Sequence, residues 1–502
     1  MASLRGKYQF CLGVAAVAAF VTAGPAQADT LREALLQAYE TNPTILAARA
    51  NLRATDENVP IQRASGRPSV DATGRYTEFL VQDQASFLAP ERALNSGINL
   101  GVPIYSGGAV RNAVRAAEER VEAGQADLRG AESALFSQVV AVYMNVLRDQ
   151  AVVGLAQNQV DVLTVNLEAT QDRFQIGVLT RTDVAQSEAR LALALSDLRS
   201  AQANLITSRE NYIAIVGEAP TDLQAPPPLG GLPSSAAQAV DIALENNPDL
   251  IAARQRAEAS EFDIRVAGAG RLPRVSVITG YSYQNFLGTL GGNVPQVSDG
   301  LQAGLSLTLP LFQGGRPAAQ QRQAQARSAA ALEQAIQAER AVIADVRAAW
   351  ASYRAALAII ESSQAAVDAA ALGLEGVRAE NTIGNRTIIE VLNAEQELLN
   401  ARVQLVTARR NAYVAGFTLL AAMGRAEARD LDLDDAGPLY DPAENYERVR
   451  GTWFDWSRDP DPTAQSTRTV DVPPADASTD PLETGPLLAD DSEIGDVDRE
   501  LP

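Results

Sequence analysis

The chain of 502 residues contains no histidine and one cysteine. That cysteine, Cys11, and the only lysine, Lys7, both fall in the first 28 residues. These absences remove the usual nucleophile and base pairs, Cys/His zinc sites and lysine Schiff bases, leaving carboxylate, hydroxyl and phenol chemistry or a carboxylate metal site. No enzyme, cofactor or metal is expected on that ground. Beyond the N-terminal region, no uninterrupted apolar run reaches the roughly 18 to 20 residues of a membrane-spanning helix, so any passage through a bilayer would have to be made by strands. The formal charge of -20 excludes nucleic acid as a natural partner.

The first residues read as an export signal over 1–28: Arg5 and Lys7, an apolar run from Phe10 to Ala23, and Ala26-Gln27-Ala28 as a cleavage site before Asp29. Because Cys11 lies inside that run, the mature chain has neither disulfide nor lipid-accepting cysteine. Much of the negative charge is at the other end. From Arg425 to Pro502 there are 21 Asp and Glu against 7 Arg, with prolines interspersed and little apolar periodicity, so 425–502 is expected to be a largely disordered tail. Trp453, Phe454 and Trp456 form an aromatic cluster within it, with the composition of a docking element.

What is present is a duplication. Asn42-Pro43 recurs as Asn247-Pro248 and Pro68 as Pro273, both 205 positions on. Val102-Pro103-Ile104-Tyr105-Ser106-Gly107-Gly108 recurs as Leu309-Pro310-Leu311-Phe312-Gln313-Gly314-Gly315 at an offset of 207, as do Gly177 with Gly384 and Gly217 with Gly424. The copies are 29–217 and 236–424, joined by a Pro/Gly-rich linker at 218–235. Each copy predicts a helix of about 32 residues (31–62, 236–267), two strands, a long Ala-rich helix (107–174, 316–381) and a helix of about 35 residues (182–216, 388–423). In the clearest strand, Leu301 to Leu309, Leu and Ala alternate with Gln, Gly, Ser and Thr. About 65 helical residues make a rod of roughly 100 Å, and the two shorter helices end to end match its length. Such a helix must bury its small-residue face against similar helices, and one chain supplies a single layer, so oligomerisation is implied.

The order and duplication of these features, with the segments Gly177-Val178-Leu179-Thr180-Arg181-Thr182-Asp183-Val184 and Gly384-Asn385-Arg386-Thr387-Ile388-Ile389-Glu390-Val391-Leu392-Asn393-Ala394, resemble the TolC family of outer-membrane efflux and type I secretion channels from about Thr30 to Gly424. The resemblance implies a mainly α fold with a small β part. Four strands per subunit would join a 12-stranded trimeric barrel in outer-membrane lipid, and the helices would form a periplasmic tunnel. That agrees with the physics of strands in hydrocarbon, where an open edge is prohibitive. Tyr76, Phe79, Tyr105, Tyr281, Tyr283, Phe286 and Phe312 then read either as an interfacial girdle or as ordinary strand packing.

The same resemblance implies a gate at Thr182, Asp183, Arg386, Glu390 and Asn393. It implies adaptor-docking tips at Ile176, Gly177, Val178, Leu179 and Thr180, and at Ile383, Gly384, Asn385 and Thr387. A periplasmic adaptor and an inner-membrane transporter of RND or ABC type would be the partners. The chain departs from the family where Asn393 stands in place of an acid and Asn381 where a Tyr can precede the hairpin. A second account of the carboxylates is local: Thr180-x-x-Asp183 and Thr387-x-x-Glu390 both fit a capping box. Arg386 reads either as a gate salt-bridge donor or as a surface charge. The competing function is a periplasmic coiled-coil scaffold without a barrel, which would have no reason to carry one-sided strands; a carboxylate hydrolase lacks a cleft-forming pattern.

Overall fold

The computed structural model describes residues 30–81 and 89–478. The signal-like segment 1–28 and the last 24 residues, 479–502, lie outside them. In chain order the elements are α1 (Leu31–Thr41), α2 (Pro43–Asp56), α3 (Asn58–Ala64), β1 (Ser69–Glu78), β2 (Arg92–Tyr105), α4 (Ala109–Gln175), α5 (Arg181–Val216), α6 (Ala236–Asn246), α7 (Pro248–Gly268), β3 (Arg274–Asn285), β4 (Val297–Thr308), α8 (Arg316–Thr382), α9 (Ile388–Ala422) and the short α10 (Glu444–Val449).

The duplication is exact in the long helices: α4 and α8 each have 67 residues, or about 100 Å at 1.5 Å per residue. Each follows a strand through two glycines in the left-handed region, Gly107 and Gly108 in one copy and Gly314 and Gly315 in the other.

The first helix of each copy is not one rod of about 32 residues. It breaks at Asn42 (φ -68°, ψ 128°) and again at Asn247 (φ -63°, ψ 121°), because the following proline lacks an N–H and disfavours helical backbone in the residue before it. The asparagines then use their side chains twice. Asn42 Oδ1 accepts from Thr44 N (2.8 Å) while its Nδ2 donates to Ile215 O (2.8 Å). Asn247 Oδ1 accepts from Asp249 N (3.0 Å) while its Nδ2 donates to Ala422 O (3.0 Å). The break is thereby seated on the C-terminal carbonyls of α5 or α9. From there α2 and α3 carry the line along α4: Leu52 sits at Gly124, Val59 packs with Ala117 and Val121, and Gly66 lies against Val110.

The strands form one antiparallel sheet in the order β1-β2-β3-β4. Its register puts Val70, Leu100, Thr279 and Ala303 in one row and Ala72, Ile98, Tyr281 and Leu301 in the next on the same face. The opposite face carries Asp71, Asn99, Gly280 and Gln302 in a row. One face is greasy and exposed, with Leu301 76% and Leu305 74% accessible, and the other polar. Among the described residues β1 and β4 each have one edge with no strand partner.

The core runs along α4, with Phe136, Tyr143, Met144 and Leu147 fully buried against α1, α5 and the end of α9. Burial is lopsided between the copies. α4 buries 25 of its 67 residues, α8 only 7. Both contain a stretch long and apolar enough by composition to cross a bilayer, and α8's is open to solvent in the isolated chain. Along the length of α8, Leu332, Ile336, Ile359 and Leu372 are 46–71% accessible. So much exposed apolar surface along one helix is stable in water only when covered.

Part of the acidic tail departs from the expectation of disorder: residues 425–449 pack on the body, while 451–478 run mostly exposed along it. Ala426, Ala428, Leu433 and Val449 are buried. The strap climbs the first repeat: Tyr440 N donates to Tyr39 Oη (3.1 Å), Asn445 Nδ2 to Asp56 Oδ2 (2.7 Å), and Arg63 NH1 to Arg450 O (2.6 Å). It then returns to α5, where Thr467 lies at Gly217 and Arg209 pairs with Asp476 at 2.8 Å. Few, widely spaced apolar plugs and arginine contacts hold it, which is why no periodicity betrays it. The linker 218–235 is likewise seated, with Leu223 buried and Tyr143 Oη donating to Gln224 O (2.7 Å).

Candidate functional site at the hairpin ends

Both hairpins turn in the same way. Gly177 (φ 80°) and Gly384 (φ 81°) sit in the left-handed region just beyond α4 and α8. Val178 N donates to Arg173 O and Asn385 N to Glu380 O, each at 2.9 Å, the six-to-one bond that closes a helix on glycine. The tip side chains Ile176, Val178 and Ile383 are 76, 66 and 71% accessible, unusual exposure for aliphatic groups. Leu179 is partly covered, and Thr180, Asn385 and Thr387 are exposed.

After each turn a threonine caps the next helix. Asp183 Oδ2 accepts from Thr180 N (2.8 Å) and Thr180 Oγ1 (2.7 Å), and Asp183 N donates back to Thr180 Oγ1 (3.3 Å). Those bonds, from the backbone first, hold the Asp183 carboxyl below its ordinary range. Glu390 Oε2 accepts from Thr387 N (2.8 Å) and Thr387 Oγ1 (2.9 Å), and its Oε1 from Arg386 NH1 (2.7 Å). The Thr387 N–H and then Arg386 bring its pKa down to about 2, so it stays ionised throughout the neutral range. Capping is therefore a real part of both carboxylates' work.

Arg386 is fixed within its own hairpin. It donates through Nε to Glu380 (2.6 Å) as well as to Glu390, while Asn381 Nδ2 donates to Arg386 O (2.8 Å). Asn381 thus closes the turn, and Thr182 is exposed on the first turn of α5.

The sequence places Asn393 and Glu390 on α9, but the structure joins the two hairpins one step deeper. Arg190 of α5 donates to Asn393 Oδ1. Below it, Glu395 is 4% accessible, accepts from Asn166 Nδ2 of α4 at 3.1 Å on both oxygens, and pairs with Arg378 of α8 at 3.0 Å. Sequence reasoning missed Asn166, Arg190, Arg378 and Glu395. A signal existed: Leu392, Glu395 and Leu398 are spaced three apart on a buried stripe, so a carboxylate occupies a core position.

Helical rods about 100 Å long, a one-sided sheet with open edges and a polar hairpin end define a membrane duct rather than a compact catalyst. A family profile described as "Outer membrane efflux protein" matches residues 34–218 and 239–425, the two copies, and the chain belongs to that family. It is 31% identical over 436 residues to the outer membrane efflux protein BepC of Brucella suis, covering 86% of this chain and 93% of that one. With the outer membrane protein TolC of Vibrio cholerae it is 27% identical over 415 residues, 82% of this chain and 94% of that one. The Campylobacter jejuni CmeC outer membrane channel shares the fold, with a TM-score of 0.70 at 17% identity over 84% of this chain and 89% of that one. The chain is an outer-membrane exit duct of the TolC type, and the barrel-less scaffold reading falls.

Proposed function

We propose that three copies of the exported chain close one 12-stranded barrel and one helical tunnel. The duct would pass efflux substrates or secreted protein, driven by an inner-membrane transporter of RND or ABC type through a periplasmic adaptor. The observation that carries this reading is the coincidence of two unpartnered surfaces in one chain: the free edges of β1 and β4, and the exposed face of α8. A cyclic arrangement covers both at once, because β4 of one copy meets β1 of the next. Residues 1–28 would be the export signal.

The tips 176–180 and 383–387 present small, aliphatic and hydroxyl groups, a surface suited to a helical hairpin of the adaptor. The gate would be Thr182, Asp183, Arg386, Glu390 and Asn393, backed by the joint at Glu395. Threefold symmetry gathers three copies of Asp183 and Glu390 about one axis, and their ionised state favours cations there. Single-channel recording of Asp183→Asn, Glu390→Gln in planar bilayers tests the gate. Cation preference should fall and the closed state weaken; unchanged selectivity and conductance would leave the two carboxylates as helix caps alone.

A further inference from the structure

We propose that Trp453, Phe454 and Trp456 form an interfacial anchor that dips into the periplasmic leaflet of the outer membrane beside the barrel rim. The inference rests on the sheet being the membrane-embedded part of the chain.

The strap's path puts the cluster there. Its rising limb meets the first repeat at successively later residues: Tyr440 at Tyr39, Asn445 at Asp56, Arg450 at Arg63 and Thr452 at Arg67. Arg67 is two residues before Ser69, where β1 begins. Its falling limb returns to Gly217 and Arg209 on α5, on the helical side. Residues 453–456 are therefore the apex of a loop, at the height where helix gives way to strand. Its two limbs are tied by Arg448, which donates to both oxygens of Asp459 at 2.9 Å.

At that apex the side chains face outward. Trp453, Phe454 and Trp456 are 57, 78 and 97% accessible, whereas Ala426, Ala428, Leu433 and Val449 of the rising limb are buried on the body. Three aromatics so exposed within four residues are costly in water, and indoles favour the headgroup level of a bilayer. Trp453 is held from behind by the Arg67 guanidinium, 4.6 Å from its ring. The nearby carboxylates do not oppose this. Asp459 is paired with Arg448 and Asp461 with Arg458, while the charge of Asp455 between the aromatics would limit the apex to headgroup depth. The greasy sheet face continues the surface, with Tyr105 and Val275 paired at the same end of the strands. Phe312, just beyond β4, is 88% accessible.

Tryptophan fluorescence tests the anchor directly, since the chain's three tryptophans are Trp350, Trp453 and Trp456. Trp350 lies 34 residues into α8, about 50 Å from the strand end, and Trp350→Phe leaves the two apex reporters. The full-length Trp350→Phe protein would be placed in phosphatidylethanolamine/phosphatidylglycerol bilayers, with insertion checked by heat-resistant oligomer on gels. Lipid brominated near the glycerol end of its chains should quench the emission severalfold, more than lipid brominated at the chain ends. Unquenched, water-like emission from an inserted oligomer overturns the anchor alone. Blue-shifted but unquenched emission also overturns it, by seating the indoles against another subunit. A protein that fails to insert overturns the anchor and the membrane duct together. Trp453→Ser, Phe454→Ser, Trp456→Ser should lower the yield of membrane-inserted oligomer without altering its single-channel conductance; an unchanged yield counts against the anchor.

Discussion

Single side chains in this molecule are decided by where carboxylates end up. Glu132 of α4 is half-buried beneath the strap, accepting from Ala428 N at 2.8 Å, and the desolvation of its carboxyl drives its pKa up to about 7. Around it stand Tyr39 and Arg49 from the first repeat, Arg129 on its own helix, and Glu427, Arg429 and Tyr440 from the strap. Because the folded pKa lies above the unfolded one, folding takes up a proton, and stability declines as pH rises from about 4.5 through 7. Glu132→Gln should stabilise the protein at pH 8 by about 1–3 kcal/mol and change little at pH 5, as read by thermal denaturation at both values. Glu395 is the opposite case, a buried carboxylate with its partners in place. Glu395→Ala leaves Asn166 and Arg378 without their acceptor at the joint between hairpins. Arg378 is half exposed and can rehydrate, so the closed arrangement should lose about 1–3 kcal/mol, seen as more frequent opening in single-channel records. Equal open probability in Glu395→Ala and wild type would strip the joint of any gating role. The sequence made the caps at Asp183 and Glu390 readable, because a capping box is local. The partners of Glu395 come from two other helices, α4 and α8, and only a core position held by a charged residue hinted at them.

At the scale of elements, most of the pattern was legible. A breaker-free, Ala-rich stretch of this length has no stable alternative to a helix, and α4 and α8 end within two residues of the predicted limits. Alternation of Leu with Gln, Gly, Ser and Thr likewise fixed β4's faces before its neighbours were known. Two things were not legible. A single helix of about 32 residues was read straight through Asn-Pro, whereas Asn-Pro divides it, and the break is seated on carbonyls of α5 and α9 that arrive from 173 and 175 residues away. The strap's order depends on contacts with no period at all. Gly424 offers a sharp element-scale test. Its φ of 71° and a neighbour, Asn246 O, 2.4 Å from where a Cβ would stand mean that Gly424→Ala forces α9 away from the α6/α7 break. Gly384 has a similar φ of 81° but open space around it, so Gly384→Ala should cost only about 1 kcal/mol of backbone strain. Thermal inactivation should therefore shift well beyond that for Gly424→Ala and little for Gly384→Ala; comparable shifts would contradict the close packing at the second repeat's end.

For the whole molecule, the chain is half of an argument that only copies of itself can complete. α4 finds its cover within the subunit, whereas α8 does not, and the sheet has two edges that hydrocarbon would not tolerate. Duplication explains the economy: one helix and strand unit, used twice, yields a buried rod and an exposed rod, and in the proposed trimer the exposed rods would meet neighbouring copies. The strap crosses the level between the two parts and, with its aromatic apex, fixes how deep the body sits under the membrane. The most direct test of the account is the detergent-corrected mass of protein extracted from outer-membrane fractions, given a full-length chain of 53.2 kDa. A heat-resistant particle of three chains, with circular dichroism dominated by helix and containing strand, is the predicted result. A monomer or dimer released in soluble form from the periplasm would contradict the shared barrel and the duct built on it.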